Sequence, residues 1–162
     1  MSLRKITPWR SALLFAALVL TLGIFGVGLQ ASGQITDKHV KDRVTLMTSQ
    51  KAALTLLSDM VAGRTVFDAP RAKAARRTLI GTTGRIAKRF KKQRMDPNSH
   101  ARTEIWQHWD DFEHRAETAR QSAKQINSKS LSGLRRTVPA MMQACFSCHQ
   151  TYRSTPNAFV TH

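Results

Sequence analysis

Beyond residue 37 the apolar side chains recur every three or four positions, in four runs separated by polar breaks. The first run is Val40, Val44, Met47, Leu54, Leu57 and Val61. It stops at Gly63, the residue type best suited to the left-handed conformation that closes a helix. Asp68 and Pro70 mark a fresh helix start, and Ala72, Ala75, Leu79, Thr83, Ile86 and Phe90 form the second stripe. "MDPNSH" (95–100) breaks the chain. The third stripe is Ile105, Trp109, Phe112, Ala116, Ala119, Ala123 and Ile126. After "NSKS" (127–130), the fourth is Leu131, Leu134, Val138, Met141, Cys145, Cys148 and Tyr152.

Four amphipathic segments with short connections predict an all-α protein, a four-helix bundle, because each apolar stripe needs another to cover it. At 162 residues there is room for one such domain, and no strand pattern or internal repeat competes with it. One local conflict stands out. Pro139 lies well inside the fourth stripe, where proline removes a backbone hydrogen bond. It predicts either a kink just before Cys145 or a later start to that helix.

The first 33 residues read differently. Arg4, Lys5 and Arg10 precede 19 uncharged residues, Ser11 to Leu29, and Ala31 and Gly33 then offer a small-residue cleavage site before Gln34. The reading is an export leader over 1–33 and a mature domain over 34–162. The alternative is an uncleaved anchor, with membrane association through residues 11–29, since that stretch is just long enough to span a bilayer. Either way the domain lies outside the cytoplasm, in a periplasmic space.

Export changes the meaning of the charge. The leader carries three cations and no acid, so the remaining 23 Lys and Arg face 10 acids, a net +13. In the cytoplasm that would suggest nucleic acid; outside it, no nucleic acid is expected, and anionic lipid headgroups or acidic protein partners take its place. The densest run, Lys88 to Arg94, reads most simply as cations at a helix C-terminus.

The chemistry sits in "QACFSCHQTY" (143–152), which holds both cysteines of the chain. By default two cysteines in an exported protein form a disulfide. Here a histidine follows the second one directly. Cys145 and Cys148, one helical turn apart, suit two thioether bonds to one haem, with His149 as the proximal iron ligand. A zinc site would need a second pair of ligands, and a thioredoxin-like dithiol a βαβ pattern; neither is present. One covalent haem c is therefore predicted. With only 13 residues after His149, none of them methionine, any sixth ligand must come from upstream. Met47 and Met60 on the first stripe can face the opposite side of the haem. Met141 and Met142 share the helix of His149.

The chain resembles the cytochrome c′ family, the class II c-type cytochromes. The resemblance rests on "RVTLM" (43–47), "GRTVFDAPRAKAA" (63–75), "TEIWQHWDDF" (103–112) and "ACFSCHQTYR" (144–153). It implies four antiparallel helices around the haem, and a homodimer in many members. It sets Met47, four after Arg43, at the distal-side position. There a methionine ligates iron in low-spin members; in some high-spin members it stays off the metal. It matches Arg153 to the basic residue near the proximal histidine. "KKQRMDPNSHART" (91–103) departs from the family, being longer and far more basic than its usual loop.

Other candidates have plainer readings. Arg43 is either a solvated helix residue or a partner for a haem propionate. Trp106 and Trp109 pack against bundle and haem. Asp110 and Asp111 form a solvated pair. His39, His100, His108 and His114 lie in polar contexts off the stripes, with His108 the one kept as a rival to Met47. No phosphate-binding loop, hydrolase or metalloprotease motif points to an enzyme. The leading expectation is an electron carrier with His149 and Met47 as axial ligands. The alternative is a five-coordinate haem protein binding NO or CO at an apolar distal face. A third reading is a basic binding module whose cysteines form only a disulfide.

Overall fold

The structure, a computed structural model, describes residues 34–154. The leader or anchor expected over 1–33 and the tail after Ser154 lie outside the described residues. Six helices make up the described chain: α1 (Lys38–Val61), α2 (Ala69–Thr83), α3 (Ile86–Phe90), α4 (Glu104–Gln107), α5 (Trp109–Gln125) and α6 (Leu131–Tyr152). The long ones form an antiparallel four-helix bundle, α1 packing on α2 and α6, and α5 on α2 and α6. No described helix is long and apolar enough to cross a membrane.

The helix ends follow local chemistry. Asp37 caps α1 by accepting the amide hydrogens of His39 and Val40 at 2.7 and 3.0 Å. After α1 the chain reverses at Gly63, whose φ of 72° is one that side-chain-bearing residues rarely adopt. Asp68 caps α2 through the Arg71 amide, with Pro70 in the first turn. Ser130 caps α6 through the Gly133 amide.

Two of the predicted helices are divided. The second stripe is buried from Ala72 to Phe90, yet the helix breaks at Gly84–Arg85. Thr82 and Thr83 turn their hydroxyls back onto carbonyls one turn earlier, a bonding that bends helices. The third breaks at His108, which leaves helical geometry (φ −121°, ψ 51°) and separates α4 from α5. The fourth is continuous: α6 begins at Leu131 and runs through Pro139, which corrects the expectation of a later start. Arg135, whose carbonyl the missing amide would have met, is a solvent-exposed residue.

Two packed clusters fill the bundle. One holds Leu57, Leu79, Leu134, Val138 and Met141, with Cys145 packed against it. The other is aromatic, built on Phe90, Phe112 and Tyr152, with Met47, Trp106 and Cys148 packed against it. Each fully buried leucine contributes about 2 kcal/mol of hydrophobic stabilisation. A cleft opens where the clusters meet.

Candidate functional site

The cleft has a volume of about 320 Å³ and a predominantly apolar lining. α6 supplies Cys145, Cys148 and His149; α1 supplies Met47 and Leu54; α5 supplies Phe112. The steps of three and four along α6 bring its thiols and imidazole to this one wall. Both cysteines are free thiols, so the disulfide reading is corrected. Burial pushes the Cys145 thiol up to about 12 and the Cys148 thiol up to about 11. A reactive dithiol has the opposite tendency, a depressed pKa, which argues against a redox pair.

Burial, helped by the neighbouring Arg153 charge, lowers His149 to about 4. Its imidazole is thus held in the neutral form that ligates metal. Among the described residues, no cluster of three or more His, Cys, Asp or Glu side chains could hold a metal ion, so a zinc site lacks its further ligands. Two thiols and a neutral imidazole on one wall of a deep apolar cleft fit a covalent haem, which needs those donors and a dry surround.

The other predicted residues divide. Met47 lines the cleft and is half-buried, its side chain packed on the aromatic cluster. Val44, one turn away on the same stripe, is 41 % exposed because it faces the cleft rather than the protein interior. Arg153 lines the cleft at the end of α6, its amide donating to the His149 carbonyl at 3.1 Å. Trp106 stands behind the cleft: its indole N–H donates to the Phe90 carbonyl at 2.7 Å. His108 is exposed and off the cleft, which removes it as a rival to Met47. His100 stands at the rim on the loop before α4.

Arg43 lines the cleft but is not the solvated helix residue that was one of its two expected readings. It is 2 % exposed, and Nε, Nη1 and Nη2 donate to the carbonyls of Arg89, Arg94 and Lys92 at 3.3, 2.9 and 2.7 Å. Its guanidinium also lies 5.0 and 5.2 Å from the ring centres of Phe90 and Trp106. The side chain thus ties down the divergent basic loop and is spent on the backbone. Asp96 fastens the same loop, accepting the amides of Thr36 and Asn98 at 3.1 and 2.9 Å. Those amide bonds, Asn98 foremost, hold its carboxyl below the usual range.

Sequence reasoning missed three participants. Asp111 is exposed, as expected of a solvated residue, but it also accepts from the Tyr152 hydroxyl at 2.6 Å and from Arg115 at 2.7 Å. Arg115 reaches on to the Ser147 carbonyl at 3.2 Å, bracing α6 beside Cys148. Gln50, a polar residue on the first helix, is 7 % exposed and lines the cleft. An outward-reading rule for polar residues hides all three.

A helical bundle with two thiols and an imidazole converging on one apolar cleft defines a c-type haem protein of the bundle class. The chain belongs to the Cytochrome C' family, whose model matches residues 38–153, and that family binds one covalent haem c. Solved structures share the fold. Cytochrome c' from Rhodobacter spheriodes is 20% identical with a TM-score of 0.66, covering 71% of this chain and 94% of its own. A ferrous variant of cytochrome c prime from Alcaligenes xylosoxidans with bound NO is 21% identical, TM-score 0.65, covering 72% and 94%. A carbon-monoxide-bound variant from the same organism is 20% identical, TM-score 0.66, covering 75% and 100%. No curated protein sequence matches the chain.

Proposed function

We propose that the chain holds its haem through Cys145, Cys148 and His149 and takes a small gas, NO or CO, on the α1 side of the macrocycle. When bound, the haem supplies an iron that can take a diatomic ligand or exchange one electron. The observation that carries the reading is the packing of Met47: its thioether fills space against the aromatic cluster, a use that needs no metal. With Val44 and Leu54 it gives the α1 wall an apolar surface open to a small uncharged ligand. The Alcaligenes xylosoxidans cytochrome c prime structures with NO and with carbon monoxide support the same reading by family. On this reading His149 is the proximal ligand, kept neutral by burial, and the protein binds rather than turns over a substrate.

A second reading keeps Met47 as the sixth ligand and the protein as an electron carrier. It is favoured by the position of Met47 on the same cleft as His149. The net +13 beyond residue 33 would then steer acidic redox partners, with rates that fall as ionic strength rises. Both readings assume a periplasmic site of action after export, and both allow a homodimer.

The deciding experiment is the ferrous visible spectrum of the haem-loaded protein with and without carbon monoxide. A broad high-spin spectrum that shifts at once with the gas is expected. A sharp, split low-spin spectrum that resists carbon monoxide, and is lost in Met47→Ala, would overturn gas binding in favour of the electron carrier.

A further inference from the structure

One polar side chain in the cleft has no assigned purpose. Gln50 is 7 % exposed, and its Nε2 is buried with no hydrogen-bond partner among the described residues. A buried amide N–H without an acceptor is costly, and native proteins rarely leave one so. The other polar residues that α1 gives the cleft are differently placed. Thr48 and Lys51 are exposed, and Arg43 is committed to three backbone carbonyls.

The height of Gln50 in the bundle can be read from its neighbours. Met47, one turn before it, packs on the aromatic cluster that also receives Cys148. Leu54, one turn after it, belongs to the cluster that receives Cys145. Gln50 therefore falls level with the turn from Cys145 to Cys148, the height at which the thioethers fix the macrocycle. It stands on the α1 wall, where Met47 and Leu54 stand above and below it.

We propose that Gln50 is the polar element of the ligand face, its Nε2–H donating a hydrogen bond to the outer atom of a diatomic ligand held on the α1 side. The inference rests on the gas-binding reading and deepens it. An apolar pocket alone does not distinguish diatomics by polarity. A single amide donor does, favouring a ligand whose outer oxygen gathers negative charge, such as NO, over one that stays nearly neutral. Gln50 thereby becomes a specificity-determining residue.

The test uses the haem-loaded protein and two variants that keep an unbranched or similar-volume side chain without a donor, Gln50→Met and Gln50→Leu. The first readout is the infrared C–O stretch of the ferrous carbon monoxide adduct. A donor at the outer oxygen draws electron density into the antibonding orbital and lowers that frequency. Both variants are expected to raise it, and to release NO about five-fold faster, the size of one neutral hydrogen bond. Unchanged stretches and NO release in an intact adduct overturn this inference alone. A change confined to the midpoint potential also overturns it, and puts the amide on a haem propionate. If the wild-type protein forms no carbon monoxide adduct, the gas-binding reading falls and this inference with it.

Discussion

The guanidinium of Arg43, in the second turn of α1, donates from Nη2 to the carbonyl of Lys92 at 2.7 Å, across 49 positions of sequence. Two further bonds, to Arg89 and Arg94, make a fork that holds one stretch of basic loop on the helix that walls the cleft. Five of the seven residues from Lys88 to Arg94 are cationic, and a sixth cation beneath them would repel unless the backbone carbonyls bound it. The loop rim that follows, Asn98 to Ala101, lines the cleft.

Removing that fork takes a buried guanidinium and its three part-buried hydrogen bonds away from the loop. Arg43→Ala is expected to destabilise the haem-loaded protein by about 3 kcal/mol, the range for breaking buried charge-assisted hydrogen bonds. Arg43→Lys should recover only part of it, because one ammonium cannot match the planar fork. Urea denaturation of the two variants against wild type checks both statements. Equal stability of all three would mean that the loop is held by Asp96 alone.

The two thiols should each make one covalent bond. In Cys145→Ser and in Cys148→Ser, denaturing intact-mass spectrometry is expected to find haem still attached through the remaining thioether. The double variant should lose covalent haem entirely. Haem retained in the double variant would contradict the roles given to these residues.

Tyr152 ties the end of α6 to α5, and its pH behaviour is calculable in sign. Burial, then the bond to Asp111, pushes its hydroxyl up from 10.0 to about 12. The fold therefore favours the neutral phenol. That stabilisation is fully present below pH 10, and disappears as pH climbs through about 12. Asp111 moves the other way: Arg115 first, then Tyr152, holds its carboxyl below 3.8, so its contribution is present above that pH and lost as pH falls beneath it. Tyr152→Phe should be less stable than wild type across the neutral range, by about 1–2 kcal/mol. The gap should narrow at both extremes, closing above pH 10 because only wild type has a phenol to ionise. Thermal melts from pH 3 to 11 would expose a constant gap, which would contradict the role given to this bond.

What could be read in advance depended on whether a residue obeyed its neighbours. The α6 stripe, from Leu131 through Cys148 to Tyr152, was legible because its steps keep one face for 22 residues. On α1 the same logic strayed. Val44 and Met47 are apolar because they face a cleft, while the interior on that helix is carried by Leu46, Ala53 and Met60, with Arg43 and Gln50 between them. Charge and polarity made those two look outward, and only partners 46 to 51 positions away give Arg43 its reason to be inside. The breaks at Gly84 and His108 carry no proline, and the apolar steps continue across both. Periodicity could not detect them.

Glycines on α2 and α6 offer a paired test of packing against propensity. Gly81 sits on the exposed side of α2, and a Cβ built there meets nothing within 4 Å. Gly81→Ala should stabilise by about 0.5–1 kcal/mol, because alanine restricts the unfolded chain and suits a helix interior. Gly133 lies in the first turn of α6, where alanine is equally well suited by propensity. A Cβ there would stand 2.7 Å from both the Asn127 carbonyl oxygen and its side-chain carbon, closer than real contacts allow. The Asn127 backbone is itself anchored, its amide donating to Thr137 at 3.0 Å, so the loop cannot easily withdraw. Gly133→Ala should therefore destabilise by about 1–3 kcal/mol, the cost of overpacking outweighing the helix gain. Opposite signs in one denaturation experiment are the expected result; two stabilising substitutions would mean that the 127–130 turn yields to α6 at little cost.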